Sequence, residues 1–178
     1  ETRRWIWDAL LPKPRPIAFE AWAVSAAEMV VPIGDGHVFD LGSRRIEAIG
    51  VPGHSLGSIA LLDSETGMLF AGDSIHSGAI WLHLDESTSL GAFRASLGRL
   101  QELRTFDAIL PAHGKPAALP LSRRVLDDLI AGVDGILEGR LVGREEKTFA
   151  GNGLRCDFGS CGIVYRADRH REDGMDDR

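Results

Sequence analysis

Three polar residues interrupt apolar runs at the ends of strand-like segments. His54 follows Val51-Pro52-Gly53, Asp73 follows Met68-Leu69-Phe70-Ala71-Gly72, and His113 follows Ile109-Leu110-Pro111-Ala112 with Gly114 behind it. Pro-Gly and lone glycine let the backbone turn sharply, so each ring or carboxylate emerges just beyond a strand terminus. Loops at strand ends of a rigid scaffold are where site residues are mounted. Imidazole and carboxylate are also the ligand types that suit zinc, iron or manganese. Each residue taken singly is more often an ordinary turn residue than a ligand, and the spacing of the three leaves both readings open. Ser55 and Ser58 are read as partners for loop backbone groups, and a serine-hydrolase mechanism is set aside. His76 is expected to be a solvated loop residue, although it could reach a substrate; Trp81, His83 and Asp85 are expected to pack and cap.

The elements that must position these residues follow from periodicity. His37–Gly42 and Arg44–Pro52 alternate as strands, and Ser58–Asp63 and Gly67–Asp73 flank the turn-rich Ser64-Glu65-Thr66-Gly67 as a hairpin. Leu90, Phe93, Leu97, Leu100 and Leu103 form one apolar stripe within a helix over 87–104, capped by Ser87, Thr88 or Ser89. Phe106–Leu110 is a buried strand running into Pro111-Ala112-His113-Gly114. Leu121, Val125, Leu126, Leu129, Ile130, Val133, Ile136 and Leu137 make a second amphipathic helix. Residues 147–167 read as loop and strand with Tyr165 in the core, and 168–178 as a charged tail. Residues 1–33 are rich in Trp and Pro. The alternate prolines Pro12, Pro14 and Pro16 forbid a helix there, and a flap over a substrate site competes with plain packing as their reading.

The whole is one domain over 1–178, with the sheets and helices in 34–167. Its 178 residues, 44% hydrophobic and 26% charged, suffice for one core. A net charge of -6 gives no support to a phosphate-tracking surface, so no nucleic-acid partner is expected. The pairs Arg3-Arg4, Arg44-Arg45 and Arg123-Arg124 read as solvated surface. No apolar stretch approaches the roughly 20 residues that span a bilayer, so no membrane partner is expected either. Cys156 and Cys161 are too few for a disulfide scaffold and read as buried free thiols of a cytoplasmic chain, although the absence of an initiating Met leaves the natural start open.

The segments 51–75, VPGHSLGSIALLDSETGMLFAGDSI, and 109–114, ILPAHG, resemble the later metal motifs of the metallo-β-lactamase-fold metallohydrolases. The resemblance runs from about Gly34 to Gly114. It implies an α/β (α+β) chain of the αβ/βα sandwich type. It implies that His54 completes one metal site, that His113 serves a second, and that Asp73 bridges both metals and is the catalytic carboxylate. Zinc is the implied metal, with iron or manganese as alternatives. The implied activity is hydrolysis of an ester-like bond in a small-molecule substrate, whether thioester, lactone, phosphoester or sulfate ester, by a hydroxide made at the metals. Aspartate rather than cysteine at position 73 resembles the general hydrolases of the family more than its antibiotic-cleaving enzymes. A flavin-partnered di-iron reductase would need a flavin domain that the tail does not supply.

The family's His-x-His-x-Asp-His string does not occur in this sequence. The expectation is therefore a C-terminal part of the fold, incomplete at its N-terminus and lacking part of the metal site, with hydrolase activity expected of the intact protein. The alternative is a non-catalytic binding or assembly domain that retains half of the fold. An apolar face left without its partner strands would make the chain self-associate, as a homodimer or otherwise.

Overall fold

The computed structural model describes residues 4, 8, 18–23, 29–113 and 118–169. It divides into two compact units, Glu1–Ile33 and Gly34–Arg178. In the first, a single helical turn, α1 (Phe19–Trp22), places Phe19 against Trp22, and the Arg4 guanidinium lies 3.9 Å over the Phe19 ring. The three alternate prolines, Trp5 and Trp7 fall outside the described residues.

The second unit holds two sheets and two helices. One sheet has six strands: β1 (Val38–Asp40), β2 (Arg45–Gly50), β3 (Ile59–Asp63), β4 (Met68–Gly72), β6 (Ala108–Pro111) and β7 (Leu121–Ser122), adjacent in that order. The other has four, in the order β5 (Ala79–Leu82), β10 (Cys161–Tyr165), β9 (Gly151–Phe158) and β8 (Arg144–Thr148). Helices α2 (Leu90–Glu102) and α3 (Arg124–Leu137) complete it. Helix α2 starts where expected: Ser89 accepts a hydrogen bond from the Ala92 N–H, the N-cap arrangement that serves an otherwise unpaired donor.

The expected hairpin is present, with Leu61 opposite Phe70 and Leu62 opposite Leu69. Pairing register and alternation give the six-stranded sheet two apolar faces. Ile49, Ala60, Leu62, Leu69 and Ile109 belong to the main core with Phe93, Leu97, Leu126 and Val133 of the helices. Ile46, Ala48, Ile59, Leu61 and Phe70 share the opposite face, as does Phe39 through its pairing with Ile46. On that face Phe39, Ile59 and Phe70 are 37%, 42% and 42% exposed.

Several expectations need correction. Ala79–Leu82, for which periodicity indicates no element, is a strand, because Ile80 and Leu82 turn into the core while β10 supplies a parallel partner. Residues 144–165 form three antiparallel strands. The second helix begins at Arg124, with Leu121 in a short strand beside β6. The tail expected from 168 starts with an ordered 3-10 turn, Ala167–Arg169. Arg123 is not free surface: it donates to the carbonyls of Leu100, Gln101 and Phe106 and lies 4.3 Å over the Phe106 ring, closing the C-terminal end of α2. Arg44 pairs with the buried Asp63 at 3.4 Å. No helix among the described residues is long and apolar enough to cross a membrane.

Candidate metal-binding site

His54 lies in the loop between β2 and β3, and this loop is fixed from several sides. Ser96 of α2 donates to the Pro52 carbonyl at 2.7 Å, and the Thr88 N–H donates to the Gly53 carbonyl at 2.9 Å. Gly53 is required by close approach rather than by unusual dihedrals, since a Cβ there would collide with the Phe93 ring. Asp73 leaves β4 directly after Gly72, whose φ of +53° turns the chain through the left-handed region that favours glycine. His113 leaves β6, and the Ala112 N–H donates to the Gly72 carbonyl at 2.9 Å, which ties the two strand ends together.

The three strand ends converge. His113 Nε2 stands 3.1 Å from Asp73 Oδ1, and His54 Nε2 stands 3.9 Å from Asp73 Oδ2. Each carboxylate oxygen therefore faces a different histidine. His54 Nδ1 lies 2.9 Å from the Trp81 carbonyl. A carbonyl only accepts, so Nδ1 carries the proton, and in the neutral ring Nε2 keeps a free lone pair on the Asp73 side. A ligating histidine held by its other nitrogen in this way is the usual supporting arrangement of metal sites. Asp73 Oδ1 is buried without a hydrogen-bond partner among the described residues, which suits an anionic oxygen kept for a cation.

The donors thus fit a cation in kind. In number they fall short, because among the described residues no group of three or more His, Cys, Asp and Glu side chains could by itself hold a metal ion. Asp73 instead forms two two-donor pairs, one with each histidine.

His76 differs from its expectation as a solvated residue. It is 9% exposed, and its ring stands edge-on to that of His113 with centroids 6.0 Å apart. Its Nδ1 accepts the Gly78 N–H at 3.0 Å, so its neutral form carries the proton on Nε2. Burial, then the neighbouring His113, holds its pKa below the usual histidine value, with Asp73 opposing. Its place three residues after Asp73 was the only signal in the sequence. His83 is buried, bonds Thr148 Oγ1 at 2.9 Å and has its pKa lowered chiefly by burial. Asp85 is exposed and pairs with Arg166 at 3.1 Å.

Gly53-His54-Ser55-Leu56-Gly57 fits G-x-S-x-G as a string. Its context is wrong for that chemistry. The Ser55 hydroxyl meets Ser58 Oγ at 2.9 Å rather than a base, and the segment joins two strands instead of a strand and a helix.

Two sheets and two helices, with histidine and aspartate gathered at strand ends, make a mixed α/β sandwich. The model of the metallo-beta-lactamase superfamily matches residues 6–132, and the chain belongs to that family. Among similar proteins, an acyl-coenzyme A thioesterase MBLAC2 of Bos taurus is 29% identical over 117 residues, which is 64% of this chain and 42% of that protein. A hydroxyacylglutathione hydrolase of Chromohalobacter salexigens is 37% identical over 109 residues, 60% of this chain and 41% of that protein. The chain thus spans less than half the length of these curated relatives. A crystal structure of a beta-lactamase domain protein from Burkholderia ambifaria matches with a TM-score of 0.51 at 22% identity, covering 69% of this chain and 39% of that one.

Proposed function

We propose that this chain carries part of the metal site of a hydrolase that cleaves an ester-like bond, a thioester in the first instance. The observation that carries the reading is the placement of Asp73, with one carboxylate oxygen toward His54 and the other toward His113. Thioesters rank ahead of lactones, phosphoesters and sulfate esters because the names of both relatives, an acyl-coenzyme A thioesterase and a hydroxyacylglutathione hydrolase, describe thioester substrates.

His54, Asp73 and His113 would hold the metal, zinc before iron or manganese, together with donors from outside the described residues. A divalent cation supplies water of lowered pKa and polarises the electrophile's oxygen. The chain's own groups do the rest. The Trp81 carbonyl keeps the His54 lone pair directed, and the Asp73 carboxylate would supply negative charge to balance that of a bound cation. His76, with Nδ1 occupied by Gly78, offers its Nε2–H to a substrate oxygen.

A second reading, a non-catalytic binding or assembly domain, is favoured by the lack of any three-donor group among the described residues. One experiment separates the two: the zinc-loaded protein is assayed on acyl-glutathione and acyl-coenzyme A thioesters beside a lactone and a phosphodiester, with Asp73→Ala in parallel. Thioester cleavage that falls to background in the variant supports the hydrolase. Cleavage of none of the four substrates, with zinc held equally by wild type and Asp73→Ala, supports the second reading.

A further inference from the structure

The His54 ring and the His54 backbone are both tied to one stretch of chain, β5 and the turn 84–87 that follows it. The Trp81 carbonyl accepts from the ring at 2.9 Å. Ser87, 6% exposed, donates its hydroxyl proton to the His54 carbonyl at 2.8 Å, with the Trp81 carbonyl 3.4 Å from the same oxygen. The Leu56 N–H donates to the Glu86 carbonyl at 3.1 Å, which adds a second staple between the turn and the histidine loop.

The turn itself is gripped from behind. Arg169 Nη1 lies 3.2 Å from the Leu84 carbonyl, 3.2 Å from that of Asp85 and 2.8 Å from that of Ser87. Three carbonyl oxygens pointing at one spot repel unless a donor sits among them, and a guanidinium is a permanently charged planar fork suited to that place. The Arg166 pair with Asp85 is exposed and adds little.

We propose that the turn 84–87, clamped by Arg169, is the device that orients His54, with Ser87 and Arg169 as its positioning residues. The functional consequence rests on the reading of His54 as a metal donor; the geometry does not. With Nδ1–H held by Trp81, Nε2 presents a lone pair toward Asp73. A ring released from that carbonyl would sample the other tautomer and present an N–H to the cation instead. A residue 115 positions along the chain, near the end of the described residues, thereby sets which nitrogen of His54 is free.

Long-range 1H–15N correlation spectra of the 15N-labelled chain read the His54 tautomer, and calorimetric titration with Zn2+ reads affinity on the same samples. Wild type and Ser87→Thr are expected to show the Nδ1–H tautomer. Ser87→Ala and Arg169→Ala are expected to show a mixture, with Zn2+ bound about tenfold more weakly. Arg169→Lys keeps the charge without the fork and falls between. Backbone amide spectra establish that each variant is folded, and Ser87→Ala removes only a hydroxyl, so the test survives an unfolded Arg169→Ala. A folded Ser87→Ala that retains a pure Nδ1–H tautomer and full Zn2+ affinity overturns the proposal. A mixed tautomer in a chain whose wild type binds no Zn2+ supports the positioning device and removes the metal reading.

Discussion

Asp73 Oδ1 and His113 Nε2 stand 3.1 Å apart, within hydrogen-bond distance but without hydrogen-bond geometry. A buried carboxylate oxygen lacking a donor lowers stability and persists in native proteins where it has another use. Asp73→Asn should therefore act in opposite directions on two measurements. Zn2+ affinity by calorimetry should fall about tenfold or more, while the metal-free melting temperature should hold or rise, by up to about 1 kcal/mol of stability. A variant that loses stability without metal and keeps its Zn2+ affinity would contradict the role given to Asp73.

Gly53 is packed against Phe93 with no room for a methyl group. Gly53→Ala should cost about 1–3 kcal/mol through overpacking, read in urea unfolding. Gly53→Ala combined with Phe93→Leu should cost less than the two single changes summed, because the second opens the space that the first needs. Strict additivity would show that the two positions do not press on each other.

Cys161 sits on β10 among core residues, and burial pushes its thiol up to about 12, with the nearby Asp128 acting in the same direction. Cys156 is also raised, chiefly by burial. At pH 8 both remain thiols and react poorly. Native protein should react slowly with Ellman's reagent, and two thiols per chain should react at once in urea. Fast labelling of the native chain would show that β9 and β10 open readily.

Asp63 ends β3 and anchors the hairpin turn. It accepts from the N–H groups of Glu65 and Thr66 at 3.2 and 3.3 Å, with Arg44 Nε 3.4 Å from its other oxygen. The Thr66 hydroxyl, the Thr66 and Glu65 backbone and Arg44 hold its pKa below the ordinary carboxylate value against the opposing effect of burial. A depressed folded-state pKa means stability that is fully present above the unfolded value and is lost as pH falls through the folded one. Urea midpoints measured from pH 6 down to pH 2.5 should fall less steeply for Asp63→Asn than for wild type on the acid side. Parallel curves would mean that this carboxylate titrates alike in both states.

The exposed apolar face of the six-stranded sheet bears on assembly. Phe39, Ile59 and Phe70 share that face, and sizing with light scattering should find species larger than a monomer, reduced by Phe70→Ser. A monodisperse wild-type monomer would count against self-association.

The sequence by itself determined the elements whose periodicity is local. The Leu90-to-Leu100 stripe, the hairpin around Ser64-Glu65-Thr66-Gly67 and the three strand ends at His54, Asp73 and His113 are each encoded within a few residues of one another, by apolar spacing and glycine. It did not determine β5 or the three-strand arrangement of 144–165. Ala79–Leu82 becomes a strand only because β10, some eighty residues later, lies beside it, and strand pairing at such separation leaves no local mark. The burial of His76 and the grip of Arg169 on the turn 84–87 belong to the same class. Both depend on which surfaces meet after folding, and so does the Trp81 carbonyl that accepts from His54 Nδ1 and leaves Nε2 on the Asp73 side.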